Sequence, residues 1–541
     1  MKRNRREFLK GGMAAALGSV AASGEQENKS QARTATARGP ATARRPVLYN
    51  GDEDYYYGGP ESMDRAYLEG IVNRLADAKV TIFSHCFYAA GRCWYDTKAG
   101  VRFDNDPFYD YKPASGVYGD FFYWKVASNF QRLVKQGNDP IRVFADTCRK
   151  RGLKFLAGLR MNDRHAIYNE HPPTLIRQHP EMVLKDKKNQ PMGGMDFQYP
   201  EVRDLAFKPM EEMAADYDVD GLELDWMRWC KMFSEDVPQE KRASVLTDYH
   251  RRIRQMLDAV GKRKGKRLLL SVRVPTTLAE CEPLGFDVPT YVREGLIDIL
   301  CPSDFLFCDP HMPVRDFALH TRGSKVQLLP SLHASAGWRA GYATTENLRA
   351  FAHSYYEQGA DGISLYNYYT KWPENYRAME EAGDPAALAT RPREYLFTPI
   401  WGATSLTGRM IDYKAVVLRS SPGKREVFPL FIKENLAKVR LSLKWRIENL
   451  TAQDEIRIDI NGKPLDPAQF KTSYSSRGKV EDMRSFDESW ISGPYYLFEL
   501  GEATPLLKDG ANEIGISLGR ANPALAGAIT LFEVHVGVKP T

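Results

Sequence analysis

Two carboxylates stand two residues apart, Glu223 and Asp225, in a stretch that otherwise reads as a buried strand: Asp220-Gly221-Leu222-Glu223-Leu224-Asp225-Trp226-Met227-Arg228-Trp229. A strand turns successive side chains to opposite faces, so Leu222, Leu224 and Trp226 share one face while Glu223, Asp225 and Met227 share the other. Burying an unpaired carboxylate is costly, so this pair needs cationic partners, a wet cleft or a chemical task. Arg160 and Arg273, on the strands expected to either side, supply the cations. Glu223 reads as the deeper carboxylate, neutralised by an arginine. Asp225 reads as the one facing substrate, with a depressed pKa suited to a nucleophile or charge stabiliser. The alternative is that all four residues form an ion-pair layer inside the fold.

The elements that would position these groups alternate regularly. Short β-rich runs at 47–50, 80–87, 154–160, 221–226, 268–274, 297–301, 326–332 and 362–367 are separated by helical patterns. Some helix ends are explicit, such as Asp139 as N-cap with Pro140 next and Gly152 past the end, or 345–358 stopped by Gly359. Eight βα units over residues 46–395 predict a (β/α)8 TIM barrel within an α/β class fold, with long loops. A doubly wound open sheet is the runner-up, but no glycine-rich phosphate fingerprint follows an early strand. After Pro392 strands recur without helices and Asn461-Gly462 marks a hairpin, so 396–541 is expected to be a C-terminal all-β sandwich.

Active sites of such barrels lie at the C-terminal ends of the strands. The polar residues expected there are Asp52 and Asp54, His85, Arg160, Asn162, Asp163 and His165, Glu223, Asp225 and Arg228, Arg273, Ser303 and Asp304, His333 and Asn367.

The strand 4 segment resembles that of barrel glycoside hydrolases. Asp220, Gly221, Asp225 and Arg228 keep the spacing of bacterial glycosyl-hydrolase-like family 10, Asp-Gly-x-x-x-Asp-Tyr-x-Arg-Tyr, with Trp226 and Trp229 in place of the tyrosines. A more distant likeness is to chitinase-type family 18, Asp-Gly-x-Asp-x-Asp-x-Glu, from which the chain departs at Glu223 and at Met227, where the catalytic acid belongs. Methionine donates no proton, so the chitinase mechanism is not expected. The resemblance implies hydrolysis of a glycosidic bond with Asp225 central. A second carboxyl must then protonate the leaving oxygen. Asp304 beyond strand 6 is the first candidate, and Glu282 or Glu280 after strand 5 the second.

Arg160, Asn162, Asp163, His165, Arg228, Trp229, Arg273, His85, His333 and Asn367 are the candidate substrate-binding residues, with the histidines expected to bond sugar hydroxyls. A metal site built from His85, Asp163, His165 and His333 is an alternative, although no His pair has ligand spacing. No cofactor is expected. Tyr55, Tyr56, Tyr57, Trp94, Tyr95, Trp124, Trp229, Trp338, Tyr368, Tyr369 and Trp372 supply flat rings for a carbohydrate cleft or for packing loops onto the rim.

Composition narrows the rest. With 43% hydrophobic and 27% charged residues in 541, the chain is globular, and no apolar run approaches the roughly 20 residues of a membrane span. Arg5-Arg6 before the apolar stretch 11–22 resembles a twin-arginine (Tat) export signal, with 23–45 as linker, which implies a periplasmic or extracellular protein. The segment 1–22 carries five basic residues against Glu7, so cleavage would reduce the formal charge from +6 to +2. Nothing then points to a nucleic-acid partner, and the cluster Lys262–Arg267 is expected in a solvated turn. Seven cysteines form no metal framework; Cys86 with Cys93 or Cys301 with Cys308 could bridge, and reduced buried thiols are the alternative. The leading expectation is an exported glycoside hydrolase acting on a poly- or oligosaccharide. The alternatives are a non-catalytic carbohydrate-binding barrel and a metal-dependent hydrolase.

Overall fold

In a computed structural model of the chain, strand 7 is interrupted at Leu329-Pro330, and its two halves close the sheet into a ring. The structure describes residues 44–51, 63–89, 91–105, 118–163, 174–337, 341–368, 375–398, 413–475 and 495–541. The export segment 1–22, residues 23–43 of the linker, Asp52, Asp54, Tyr55, Tyr56, Tyr57, His165, Trp338, Tyr369 and Trp372 lie outside the described residues, as does the side chain of Trp124.

The ring consists of β1 (Val47–Gly51), β2 (Ile82–Ala89), β3 (Lys154–Arg160), β4 (Gly221–Asp225), β5 (Leu269–Val274), β6 (Ile299–Pro302), β7 (Gln327–Leu328 and Ser331–His333) and β8 (Ile363–Tyr366). Every neighbour pair is parallel, from β1–β2 round to β5–β6, with β8 returning to β1. The first half of β7 pairs with β6 and the second with β8. Proline has no N–H for a ladder, which accounts for the break, yet the Pro330 carbonyl still accepts from Ser364 N–H at 3.0 Å.

Helices return the chain between strands, as βα geometry requires. In α1 (Pro140–Arg151), Asp139 accepts from the Ile141 and Arg142 amides and Gly152 closes the end with φ +74°, as its sequence signals. In α2 (Thr345–Glu357), Thr344 and Asn347 form a reciprocal capping box. Helix α3 (Gln239–Lys264) ends at Gly265, where Lys264 Nζ caps the Ala214 and Tyr217 carbonyls and Lys266 pairs with Asp218. Gly221 opens β4 because a Cβ there would lie 2.1 Å from the Leu269 carbonyl oxygen.

Alternate residues of each strand stack into three tiers inside the ring. The floor is Leu48, Ile82, Leu156, Ile299, Cys301 and Leu329, a core cluster separate from the main one. Two residues further along their strands come Asn50, Ser84, Gly158, Glu223, Ser271, Ser331 and Ser364, of which Asn50 pairs with Ser84, Glu223 with Gly158 and Ser271, and Ser331 with Ser364. The mouth tier carries Arg160, Asp225, Arg273, His333 and Tyr366. Outward residues enter the layer between sheet and helices, where Trp226 packs against Phe197, Tyr249, His250 and Phe286.

Two antiparallel sheets follow. One runs β9 (Arg393–Phe397), β17 (Ala528–Pro540), β12 (Val439–Glu448), β15 (Tyr495–Leu500), β14 (Lys471–Ser475), with β10 (Ala415–Leu418) also on β17. The other runs β11 (Glu426–Ile432), β16 (Gly510–Arg520), β13 (Glu455–Ile460) and Lys463–Pro464, the last two joined by the Asn461-Gly462 turn with both φ positive. Each buries one face, as Phe428, Leu430 and Ile432 alternate with less buried neighbours along β11. They join the barrel through buried polar contacts: Arg393 and His353 both reach Glu434, and Tyr413 OH donates to Asp309 Oδ1 at 2.8 Å. All seven cysteines are buried thiols rather than disulfides, and among the described residues no helix is long and apolar enough to cross a membrane.

Candidate active site

The mouth of the barrel is organised by one carboxylate and one guanidinium. Asp225 Oδ1 accepts from the main-chain N–H of Met227 (2.9 Å) and Arg228 (3.1 Å) and from Arg273 Nη1 (2.8 Å), while Oδ2 accepts from Tyr366 OH (2.9 Å). The two amides come from the turn that ends β4, so one residue both terminates the strand and anchors the site. Arg273 is completely buried. Its Nε donates to Ser303 Oγ (2.8 Å) and its Nη2 to the main-chain oxygens of Asp304 (2.7 Å) and Phe305 (2.9 Å). One guanidinium therefore ties the Asp225 carboxylate to the loop after β6. Charged hydrogen bonds of this kind are about twice as strong as neutral ones and fix geometry as well as charge.

That pairing corrects the assignment of the arginine to Glu223. Arg273 neutralises Asp225, and Arg160 pairs instead with Asp163, Nη1 to Oδ2 3.5 Å, both buried. Glu223 lies in the tier below, 1% exposed, and among the described residues neither of its carboxyl oxygens has a well-formed hydrogen bond. Burial pushes its pKa up to about 7; the Asp225 charge adds to the rise, while the nearby Ser84, Asn50 and Arg273 offset part of it. Burial thus raises the proton affinity of the deeper carboxyl of β4.

His333 completes the rim on β7. Ser303 Oγ donates to the Asp304 carbonyl (2.8 Å), so toward His333 Nε2, 3.2 Å away, it accepts; the imidazole proton sits on Nε2 and Nδ1 is an acceptor. Burial, reinforced by the charges of Arg273 and Arg228, drives the His333 pKa well below its usual value and keeps the ring neutral. Asp304 Oδ1 accepts from the Leu306 and Phe307 amides, both at 3.1 Å, which shapes the loop it starts. Arg228 and Trp229 close over that loop, with the guanidinium 5.1 Å and the indole 5.3 Å from the Phe305 ring. Trp229 holds φ +104°, a conformation that a bulky residue adopts only where its surroundings impose it. Asn367, at φ +49°, ends β8, and its amide N–H donates to the Asn50 carbonyl at 2.9 Å.

Several expected positions fall elsewhere. His85 is one residue out of phase with Ser84 and points into the helix layer, 4.9 Å from Phe87 and 5.1 Å from Phe144. It is not at the mouth, and the metal cluster imagined from it is not assembled by the described residues. Asn162 is committed to structure: its Nδ2 donates to the Met195 and Lys231 carbonyls (both 3.0 Å) and its Oδ1 accepts from Met195 N–H (2.8 Å). Glu282 is exposed on a short helix and accepts from Gln239 at 3.2 Å, whereas Glu280 is buried and bonded by Thr276 and Thr277. Of the loop aromatics, Trp94 stacks on Phe103 at 3.8 Å and Tyr95 donates to Glu212, so both pack rather than line the mouth. Tyr366 was not among the expected residues, although Ser364 and Tyr366 alternating with Ile363 and Leu365 carry the same period-two signal as β4.

Residues 114–245 match the model of the family described as glycosyl hydrolase-like 10. The matched segment includes β3, β4 and the turn bound by Asp225, so the glycosyl-hydrolase-like signature falls on the strand that carries both carboxylates. No curated protein matches the chain. Among solved structures, a cycloisomaltooligosaccharide glucanotransferase of a Paenibacillus species aligns at 10% identity over 91% of this chain and 57% of its own, TM-score 0.35. The GH36 alpha-galactosidase AgaA of Geobacillus stearothermophilus aligns at 13% identity over 92% and 56%, TM-score 0.35. The PgaB (BpsB) glycoside hydrolase domain of Bordetella bronchiseptica aligns at 13% identity over 63% and 99%, TM-score 0.39. The chain spans little more than half the length of the first two.

Proposed function

We propose that the chain is an exported glycoside hydrolase that cleaves a poly- or oligosaccharide at the mouth of its barrel. The observation that carries this is the coincidence of the glycosyl-hydrolase-like match at 114–245 with Asp225, the carboxylate gripped by Arg273 and Tyr366 where barrel enzymes do chemistry. In this role Asp225 is the anion facing the sugar, and Asp304, bound to the same arginine through its carbonyl, is the proton donor to the leaving oxygen. His333, Arg228, Trp229 and Asn367 bind substrate, and Arg160 with Asp163 frames the β3 side. The neutral His333 accepts from sugar hydroxyls, and Trp229 offers a ring for the C–H face of a pyranose. Export follows from Arg5-Arg6 and the apolar stretch after it.

The test is a screen of plant, algal and bacterial glycans with the native protein and Asp225→Asn. Release of reducing ends that the substitution abolishes, with the fold intact, supports the proposal; unchanged release overturns it. Cell fractionation with and without Arg5→Lys/Arg6→Lys tests export.

A carbohydrate-binding role without hydrolysis is the alternative, favoured by one observation: four donors already converge on Asp225. Glycan binding by calorimetry with no product over long incubation would select it.

A further inference from the structure

The middle tier of the barrel is unusual in what it pairs with what. Ser84 and Asn50 lie beside Glu223, Gly158 and Ser271 pair with it in register, and Ser331 and Ser364 hold the same inward phase on β7 and β8, all small or neutral; Ser331 keeps a buried hydroxyl without a partner among the described residues. Neither oxygen of Glu223 has a well-formed hydrogen bond, and the neutral Ser84 and Asn50 beside it offset only part of the effect of burial. Arg273, the cation whose charge acts on it, has four N–H groups engaged by Asp225, Ser303, Asp304 and Phe305. An ionised Glu223 would be a buried charge with no counter-ion, two residues below a second carboxylate, and a protein avoids that state by keeping the proton.

We propose that Glu223 is a proton-holding positioning residue: its carboxyl stays neutral beneath the mouth, and loss of that proton draws Arg273 away from Asp225 and disarms the site as pH rises. The groups that face it are Asp225 above it on β4, Arg273 on β5, Cys301 on β6 and, in the mouth tier, Arg160, His333 and Tyr366. Cys301 is pushed well above its usual value by burial and by Glu223 itself, and His333 is held neutral, so neither supplies a competing charge near neutrality. The Glu223 value of about 7 sets where the change falls. The effect on turnover rests on the proposed hydrolase function; the protonation state does not.

The experiment is infrared difference spectroscopy of the full chain between pH 5 and pH 9, native and Glu223→Gln. A protonated-carboxyl band present at pH 5, falling to about a tenth one pH unit above its midpoint near 7 and absent from Glu223→Gln, is the expected result. If Glu223→Gln fails to fold, native protein labelled with carbon-13 glutamate and then with carbon-13 aspartate assigns the band: only the glutamate label should shift it. No band above pH 5, or a band that moves with the aspartate label, overturns the proposal. Where a substrate is found, the alkaline limb of kcat should move to higher pH in Glu223→Gln; an unmoved limb overturns the link to the site. Failure of the glycan screen leaves the infrared result standing, so the two failures are distinguishable.

Discussion

Arg273 lies flat against Tyr366, its guanidinium carbon 3.4 Å from the ring centroid, and both side chains end on the same carboxylate of Asp225. Cation, ring and anion thus form one closed unit across β4, β5 and β8, and each member holds the other two in place.

Tyr366→Phe keeps the ring under Arg273 and removes only the hydroxyl. Loss of a hydrogen bond to a carboxylate should cost about 1.5–3 kcal/mol, read as a lower urea midpoint with an unchanged m value. Hydrolysis, if present, should fall by roughly ten- to a hundredfold without a matching rise in KM.

Asp225→Ala leaves Arg273 charged, buried and missing its counter-ion. A cost of about 3–5 kcal/mol is expected, and Asp225→Ala/Arg273→Met should be more stable than Asp225→Ala alone. Equilibrium unfolding of the three proteins checks the order; a double variant less stable than the single would show that the arginine is held chiefly by Ser303, Asp304 and Phe305.

Asn162 ties the β3 loop to Met195 and Lys231 through three hydrogen bonds. Asn162→Ala should therefore cost about 2–4 kcal/mol and hasten proteolysis of those loops, with any glycan affinity changing only as the loops loosen. A variant of native stability with lost glycan binding would show direct contact with substrate.

His535 sits between Glu394 (Nδ1 to Oε1 2.9 Å) and Glu533 (Nε2 to Oε1 2.7 Å) across the first β-sheet. Burial disfavours its charge, but the two carboxylates outweigh burial and push its pKa up to about 9. The stabilisation is full below the unfolded-state value of about 6.5 and is lost as pH rises through about 9. Thermal midpoints of native protein should fall across that window, and His535→Gln should flatten the fall.

Glu223 makes the opposite kind of group contribute with the same sign at lower pH. A carboxyl raised to about 7 favours folding fully below about 4.3, its unfolded value, and the gain is lost as pH rises through 7. Glu223→Gln should remove that slope between pH 5 and pH 8 and be the more stable protein at pH 8.

Much of this arrangement is legible in the residues. The eight strands were readable because β-branched runs alternate with capped helices, and β4 stood out because its carboxylates break an apolar run. What could not be read was which face of β2 looks inward. Ile82-Phe83-Ser84-His85-Cys86-Phe87 is buried on both sides, so hydrophobicity gives no phase, and a bulge between Cys86 and Tyr88 shifts it again. His85 therefore looked like a mouth residue when its neighbour Ser84 was the inward one. The partner of Arg273 was also hidden, because two carboxylates of equal charge share one face and only the depth of each decides which the guanidinium reaches. Asn162 looked like a ligand group because loops that need a three-way side-chain tie and loops that bind sugars favour the same residue.

The break at Leu329-Pro330 leaves the barrel wall joined at β7 by short ladders, two residue pairs to β6 and three to β8. A cylinder parts first along its weakest seam, and this one has His333 and Tyr366 on its inner edge. Slow breathing of the wall would thus begin beside the groups that grip Asp225, and amide exchange at Leu332 and Leu365 should outpace that at Leu222 and Leu224 on the opposite side.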